Sequence, residues 1–512
     1  MIKAIWRKEL LEQLTSQRFI YCTLIIVSLI WVIGLLRIDS YEKARAEKDR
    51  IVAEIADEFR KIDGYASLRT QVVRTPRPLE VFNQGVNEQK GSVVPIRIYE
   101  VPYITDKHIP TDKHTLSTTG NSLLAVIGSF DVVHVIQVFL SLLAVLLACE
   151  SISSEREKGT LSLMLTMNAS RAQIATGKFL SGVTLLNVPI FLGFLGVVIF
   201  LIASGHVRLT GDDWMGIIGI WAISLFYIAV FYLIGMALSC CTHNTSTSLI
   251  YGLFTWAFLV IVLPSSITFF VNQQYNRRTD AQIAEAMQDE LWHEYQLRAD
   301  DLVRTAGMGD EYPPLHLVSN FYSKGGSGSD PFFGIGLIKE DAPLADFLNL
   351  LRTGENLRLQ YAQKIWNACG PLWEGRPRSL VRLNDQLQRI TPAGAYLEIT
   401  GGLACTDADA FHGFIFQARQ YRDQLLEYLR AQDAFGSRDF FSGQNMQIIE
   451  DDKIVDNTGT LDPRMLPAFE EHRELFSQRL GRIVPSILSL FLYASLMWLA
   501  VVRLFSRYDV IR

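Results

Sequence analysis

The stretch closest to a nucleotide-binding motif is Thr176-Gly177-Lys178. A phosphate loop follows the pattern G-x-x-x-x-G-K-[ST], in which glycines shape the loop and the hydroxyl binds magnesium. Ala172 stands where the first glycine is required, and Phe179 replaces the hydroxyl residue. Because no other G-K-[ST] occurs in the sequence, we expect no nucleotide hydrolysis by this chain and no cofactor in it.

Metal chemistry built on histidine is also weakly supported. His293-Glu294 would begin the zinc-protease motif H-E-x-x-H, but Leu297 stands where the second histidine is required. His108 and His114 each end a T-D-K-H repeat in a polar segment. Two histidines without a third ligand are more typical of solvated side chains than of a metal site. The sequence therefore predicts neither a metal site nor a catalytic residue.

The composition indicates a membrane protein. Hydrophobic residues make up 49% of the 512 residues and charged residues 20%, and the mean hydropathy is +0.18, which is high for a soluble protein of this size. The 48 Lys and Arg residues against 53 Asp and Glu give a net charge of −5. This balance leaves no basic surplus for nucleic-acid phosphates, so nucleic acid is not an expected partner.

Six apolar runs are each long enough to cross a bilayer as a helix, which takes about 20 residues. These runs are residues 19–36, 132–148, 179–203, 214–238, 249–270 and 483–504. The first run lacks a signal-peptide cleavage site, so we expect it to be retained. The sequence therefore predicts an all-α polytopic membrane protein with six transmembrane helices.

Residues 1–18 predict an amphipathic helix that lies on the membrane surface. Its apolar stripe consists of Ile2, Ile5, Trp6, Leu10 and Leu14. Its charged face carries Lys3, Arg7, Lys8 and Glu12.

Positive charges in the short segments between spans predict the orientation, because such segments tend to stay in the cytoplasm. The N-terminus, the loop 149–178 and the tail 505–512 all carry Lys or Arg. We therefore expect both termini on the cytoplasmic side of a bacterial inner membrane. Residues 37–131 and 271–482 then form two extracytoplasmic segments.

The two outer segments are predicted to be mainly helical. Hydrophobic residues recur at helical spacing in residues 41–62, 280–304, 342–367, 411–432 and 467–482. Residues 93–104 are rich in Val, Ile and Tyr and contain two prolines. That composition predicts a short edge strand or an extended segment.

Two of the six cysteines, Cys369 and Cys405, fall in the outer segments. Because an exterior compartment permits disulfides, we predict a bond between them. Two unrelated buried thiols are the alternative.

Three polar residues fall within the predicted spans, namely His134, Gln137 and Asn187. Such side chains are unfavourable in lipid and should face protein. We expect interhelical hydrogen bonds, with a substrate path as the alternative.

The loop 149–178 is too long and too amphipathic for a simple turn. A charged start is followed by Leu161, Leu163 and Leu165, and Asn168 or Ser170 could cap the helix that continues into the third span. A short helix here could receive force from a soluble partner, or it could rest on lipid headgroups.

This loop carries a family resemblance. The run Glu155-Arg156-Glu157-Lys158-Gly159-Thr160-Leu161, followed by Ser170-Arg171 and Gly177-Lys178, resembles the pattern E-R-E-x-G-T-L … S-R … G-K in membrane subunits of ABC-2 type transporters. The resemblance implies a coupling helix that docks into a separate ATP-binding subunit, which would hold the ATP and magnesium. The residues to which it assigns coupling are Glu155, Arg156, Glu157, Gly159, Thr160, Leu161, Arg171 and Lys178.

The resemblance also implies a dimer with a second permease copy or a paralogue. The large insert before the last span, with Ile390-Thr391-Pro392-Ala393, is similar to the branch of gliding-motility and multicopper-enzyme-maturation permeases. Three functions remain open at this point. The chain could export a hydrophobic or amphipathic substrate, drive an extracytoplasmic protein partner without bulk transport, or serve as a membrane-anchored scaffold or receptor.

Overall fold

The computed structural model describes residues 2–60, 68–85, 92–97, 130–160, 170–205, 207, 209–273, 277–305, 344–373, 378–432, 448–450, 453–455 and 465–506. Its elements in chain order are α1 (Ile2–Leu14), α2 (Gln17–Arg60), β1 (Arg69–Val73), β2 (Val93–Arg97), α3 (Val132–Glu157), α4 (Arg171–Ala203), α5 (Gly211–Cys241), α6 (Thr245–Val271), α7 (Arg277–Thr305), α8 (Leu344–Trp373), α9 (Arg378–Gln388), α10 (Pro392–Ala404), α11 (Ala408–Ala431), β3 (Ile448–Glu450), β4 (Lys453–Val455) and α12 (Phe476–Ser506).

Six of these helices are long and apolar enough to cross a membrane: α2, α3, α4, α5, α6 and α12. Each contains one of the predicted spans, so the prediction of an all-α polytopic membrane protein with six spans is confirmed. Strands in the described residues are limited to two antiparallel pairs, β1 with β2 and β3 with β4.

The first span and the first outer helix form one continuous helix, α2, of 44 residues. The sequence predicts two separate helices, 19–36 and 41–62. Residues 37–40 contain neither glycine nor proline, so nothing interrupts the backbone hydrogen bonds between them. At 1.5 Å per residue α2 is about 66 Å long, roughly twice the thickness of a bilayer core. It therefore extends well beyond the bundle.

The bundle has two ends, which we name by their contents. The α1 end contains α1, the last turn of α3, the first turn of α4 and the connection between α5 and α6. The insert end contains β1, β2, α9, α10 and α11. Between the ends, α3, α4 and α5 form the centre, where α4 and α5 approach closely. A Cβ atom on Gly182 would lie 2.0 Å from Tyr232 Cζ.

The two outer segments pack together at the insert end instead of forming separate domains. Val72 of β1 and Ile96 of β2 share one apolar cluster with Phe414 and Leu425 of α11. Of the predicted extended segment 93–104, residues 93–97 form β2, and the remainder lies outside the described residues.

The predicted helix 467–482 is wrong in its first half, because residues 467–475 are not helical and α12 begins at Phe476. Side chains of α11 bind the backbone of this segment. The Gln417 amide donates to His472 O at 3.1 Å and accepts from His472 N at 2.8 Å, and Tyr421 donates to Pro467 O at 3.0 Å. These bonds replace the ones that a helix would make.

Two helices that the sequence pattern did not predict, α9 and α10, lie at the insert end. Helix α10 packs between α5 and α12, and the Tyr396 ring stacks on Tyr227 with centroids 4.3 Å apart. Tyr396 Oη lies 2.7 Å from Ser224 Oγ, about 20 Å along α5 from its first residue. Although residues 392–404 belong to the predicted outer segment 271–482, they lie alongside the spans like a re-entrant helix.

Side chains form hydrogen bonds with the backbone groups at both ends of α10. Thr391 Oγ1 caps the first turn by accepting from Gly394 N at 2.9 Å. At the other end, Arg479 donates to Leu403 O and Arg74 donates to Cys405 O, both at 3.0 Å. These two buried guanidinium groups bind the carbonyl groups that a helix leaves unpaired.

The predicted disulfide between Cys369 and Cys405 is wrong, since the structure forms no disulfide among its cysteines, all of which it describes. Cys369 lies on α8, packs against Ala284 of α7, and donates through Sγ to the Ala284 carbonyl at 3.4 Å. Cys405 lies in the left-handed conformation at the end of α10, with φ of 57°. The two thiols are buried in different helical units.

Candidate functional site

A buried cluster of charges joins three helices at the α1 end. The Lys178 side chain is only 1% exposed. Its Nζ lies 2.9 Å from Glu155 Oε1 on α3 and 3.0 Å from Glu9 Oε1 on α1. Because a buried ammonium requires carboxylate partners to offset its lost hydration, these contacts tie α1, α3 and α4 together. We call Glu9, Glu155 and Lys178 the charge cluster.

Packing of α1 on α4 brings Glu9 to Lys178. Gly177 has no side chain, and a Cβ atom there would lie 2.8 Å from Ile5 Cγ2. Trp6 Nε1 donates to Thr184 Oγ1 at 3.2 Å. The apolar stripe predicted for α1 is thus partly covered by protein, while Lys3, Arg7, Lys8 and Glu12 are exposed. Contact of α1 with the membrane surface stays a prediction.

Lys8 gives the charge cluster a second cation on its exposed side. Its Nζ lies 3.7 Å from Glu9 Oε1 and 3.9 Å from Glu155 Oε1, and its side chain is 58% exposed. Exposed ion pairs at such distances contribute little to stability. Lys178 is therefore the main cationic partner of the Glu9 and Glu155 carboxylates.

Glu155, Arg156 and Glu157 form the last turn of α3 and are not part of a separate coupling helix. Arg156 Nη1 donates to Thr242 O at 2.6 Å. Glu157 Oε2 accepts from Thr245 N at 3.2 Å and from Thr245 Oγ1 at 2.7 Å. Since Thr245 begins α6, the Glu157 carboxylate caps that helix. The contact holds the end of α3 against the start of α6.

The end of α3 presents an exposed surface beside the charge cluster. Gly159 has φ of 72°, a left-handed conformation that favours glycine and ends the helix. Lys158, Gly159 and Thr160 are all exposed, and we call them the exposed corner. Leu161 and the rest of the predicted coupling helix, residues 161–169, lie outside the described residues.

Arg171 connects the start of α4 to the end of the last span. Its Nη1 donates to the carbonyl oxygens of Phe505 and Ser506, where a guanidinium also complements the negative end of the helix dipole. Ser170 caps α4 together with Gln173 in a reciprocal capping box, so one of the two predicted caps is confirmed. The other, Asn168, lies outside the described residues.

The three intramembrane polar residues are not brought together by shared hydrogen bonds. His134 lies in the first turn of α3, where its Nδ1 is 2.7 Å from Asp131 Oδ1. The amides of Gln137 and Asn187 form no hydrogen bond within the part of the chain that the structure describes. For these two side chains the expected interhelical hydrogen bonds are therefore wrong.

The described ranges contain no group of three or more His, Cys, Asp or Glu residues that could hold a metal ion. His108 and His114 lie outside those ranges.

Glu9 is the member of the charge cluster that sequence reasoning missed. It follows Ile2, Ile5 and Trp6 at the spacing i, i+3, i+4 and i+7 and therefore lies on the apolar stripe of α1. A carboxylate on an apolar face predicts a buried partner. That spacing was the available signal.

A family model matches about two thirds of the chain. Residues 3–339 match the model of a family described as ABC-2 family transporter protein. The match includes all three residues of the charge cluster and five of the six spanning helices, and it ends before α12. No protein with a curated function matches the chain.

Proposed function

The chain belongs to the ABC-2 transporter family, and we propose that it exports a hydrophobic or amphipathic substrate with energy from a separate ATP-binding subunit. Membership makes it a membrane permease component of an ABC transporter. The observation that carries the proposed mechanism is the position of the charge cluster, which joins α1, α3 and α4 directly beside the exposed corner.

The proposed coupling contact is the exposed corner itself. Lys178 is buried, Glu155 is half-buried, and the two are bound to each other within the chain, so a partner could not bind either charge without breaking that pair. Lys158 and Thr160 are exposed, so their side chains are accessible to a partner. We propose that the ATP-binding subunit docks at the exposed corner and at residues 161–169, and that the charge cluster passes its movement to the spans.

We also propose the finer features of the assembly. The chain forms a dimer with a second permease copy or a paralogue and lies in the bacterial inner membrane. It belongs to the branch of gliding-motility and multicopper-enzyme-maturation permeases. The segment that supports the branch, Ile390-Thr391-Pro392-Ala393, forms the capped start of α10.

Energy coupling can be tested with the chain reconstituted in liposomes together with its ATP-binding subunit. We expect the chain to stimulate ATP hydrolysis by that subunit. Lys158→Glu should raise the permease concentration needed for half-maximal stimulation about tenfold, because interface charge reversal commonly has such an effect. Hydrolysis is measured while the permease concentration is varied. Lys43→Glu is the matched control, since Lys43 is 76% exposed on α2, outside the exposed corner. Equal stimulation by both variants would contradict the proposed contact.

The proposed orientation has a test in labelling with a membrane-impermeant maleimide. Cys241 is exposed at the α1 end, and Glu47 is 51% exposed on the part of α2 beyond the first span. In intact spheroplasts we expect Glu47→Cys to react and Cys241 to react only after permeabilisation. The reverse pattern would show that the termini are extracytoplasmic.

An action on an extracytoplasmic partner is the second candidate, and α2 favours it. Because α2 continues without a break from the bundle, movement of the first span would also move its outer half. Inside-out vesicles distinguish the two functions, since ATP-dependent substrate accumulation is expected for export alone.

A further inference from the structure

The insert end contains a cavity of about 1190 Å³ between spans and outer helices. Helices α3 and α6 line it from the bundle, and α9, α10 and the start of α11 line it from the insert. Its volume is large enough for a small organic molecule. Neither the resemblance nor the family match assigns it a role.

Carboxylates outnumber cations around this cavity. Asp385, Glu398, Asp407 and Asp409 all line it. Glu398 is bound by Arg389, whose Nε lies 2.8 Å from both carboxylate oxygens. Arg482 lies 3.7 Å from Asp407 and 3.9 Å from Asp409, and is shared with Glu474 at 2.6 Å. The cavity therefore has a negative balance that favours a cation.

Asp385 is the carboxylate that forms no ion pair within the described residues. Burial, together with the nearby Glu398, raises the pKa of Asp385 to about 6. At neutral pH it is still mostly ionised, so a cation in the cavity would find it charged.

A buried amide points into the same cavity. Gln137 is only 6% exposed, lines the cavity from α3, and has no side-chain hydrogen-bond partner within the described ranges. Asn384 Oδ1, from α9, is also buried without a partner. Unpaired buried polar groups are unfavourable, so a ligand with N–H donors would stabilise both acceptor oxygens.

The remaining lining favours an organic ligand over a bare metal ion. Phe269 and Phe416 line the cavity and are exposed, and aromatic faces attract organic cations. The described residues contain no group of acids and histidines arranged to hold a metal. The lining thus combines aromatic and acidic side chains.

We propose that this cavity binds an organic ammonium ion with an apolar body, through Asp385 and the amide of Gln137. Read as the substrate class of the transporter, this rests on the proposed function. The binding site itself is inferred from the cavity and its unpaired Gln137 amide, independently of the proposed function.

Binding can be measured by calorimetry on the purified chain in lipid nanodiscs, without any ATP-binding subunit. The probe is phenylbutylammonium, compared with phenylbutyrate, which has the opposite charge, and with phenylbutyltrimethylammonium, which has no N–H donor. We expect saturable binding of phenylbutylammonium and none of phenylbutyrate. Empty nanodiscs correct for partitioning into lipid.

Two variants separate the contributions. Gln137→Leu should weaken phenylbutylammonium binding about tenfold, as expected for a lost hydrogen bond to a charged group, and leave the trimethyl probe unaffected. Asp385→Asn should weaken both cations about tenfold. Asp39→Asn is the matched control, since Asp39 is exposed on α2.

Equal binding of phenylbutyrate, no saturable binding of phenylbutylammonium, or unchanged affinity in both cavity variants would overturn the proposal. Each variant is first compared with the native chain in thermal unfolding, so that loss of the fold is not taken for loss of the site. Intact binding without ATP-driven transport would instead contradict the proposed export function.

Discussion

Replacing Lys178 by methionine is expected to destabilise the folded chain by about 3 kcal/mol. The substitution keeps the length of the side chain but leaves Glu9 and Glu155 without the ammonium group that both contact within 3.0 Å. Removing one partner of a buried ion pair leaves an uncompensated charge, which is the source of the large effect. Chemical unfolding in micelles, followed by tryptophan fluorescence, measures the free-energy difference.

Lys8→Met is the matched control, because Lys8 belongs to the same group of charges but is 58% exposed. We expect it to change the free energy of unfolding by less than about 1 kcal/mol. The double variant Glu155→Gln with Lys178→Met should recover part of the lost stability, since one buried charge is removed. Equal effects of Lys8→Met and Lys178→Met would contradict a buried role for Lys178.

The spans were predictable because a bilayer imposes a length and a polarity that the sequence must match. The charge cluster was predictable only in part. The family resemblance identifies Glu155 and Lys178 as candidate residues. The contact of Glu9 with Lys178, however, depends on the packing of Ile5 on α1 against Gly177 on α4. Such a contact between distant segments has no signature in either segment alone.

The insert was less predictable, and the reason is again tertiary. Helix α10 is too short for a span and too apolar for a surface helix, a combination typical of buried or re-entrant segments. Residues 467–475 have a helical hydrophobic pattern, but they are not helical, and side chains of α11 bind their backbone instead. The Cys369–Cys405 prediction relied on compartment alone, which does not bring two thiols together.

Helix α5 contacts both the charge cluster and the proposed cation site. Tyr232 Oη donates to the backbone carbonyl of Lys178 at 3.4 Å. Tyr227, five residues earlier, donates to the carbonyl of Gln137 at 3.1 Å and stacks on Tyr396 of α10. A movement of α4 relative to α5 would therefore be transmitted, through directly packed groups, to Gln137 in the cavity lining and to Tyr396 of α10.

Binding of phenylbutylammonium to the cavity is expected to weaken about tenfold between about pH 7.5 and about pH 5. The pKa of Asp385 is raised to about 6 by burial and by Glu398, so its carboxylate is charged at the higher pH and protonated at the lower. The probe keeps its charge throughout, since an alkyl ammonium titrates near pH 10 like lysine. Protonation of Asp385 therefore removes the attraction between its carboxylate and the ammonium group of the probe.

Other charged groups face Asp385, and the experiment must separate them. Glu398 lies on α10, Arg389 follows α9, Asp407 precedes α11, and Asp409 and His412 lie on α11. A positive charge on the His412 imidazole would also oppose a bound cation. If Asp385 is responsible, the affinity of Asp385→Asn is low and nearly independent of pH, while His412→Gln keeps the native pH dependence. The opposite result would assign the titration to His412 and contradict the role of Asp385.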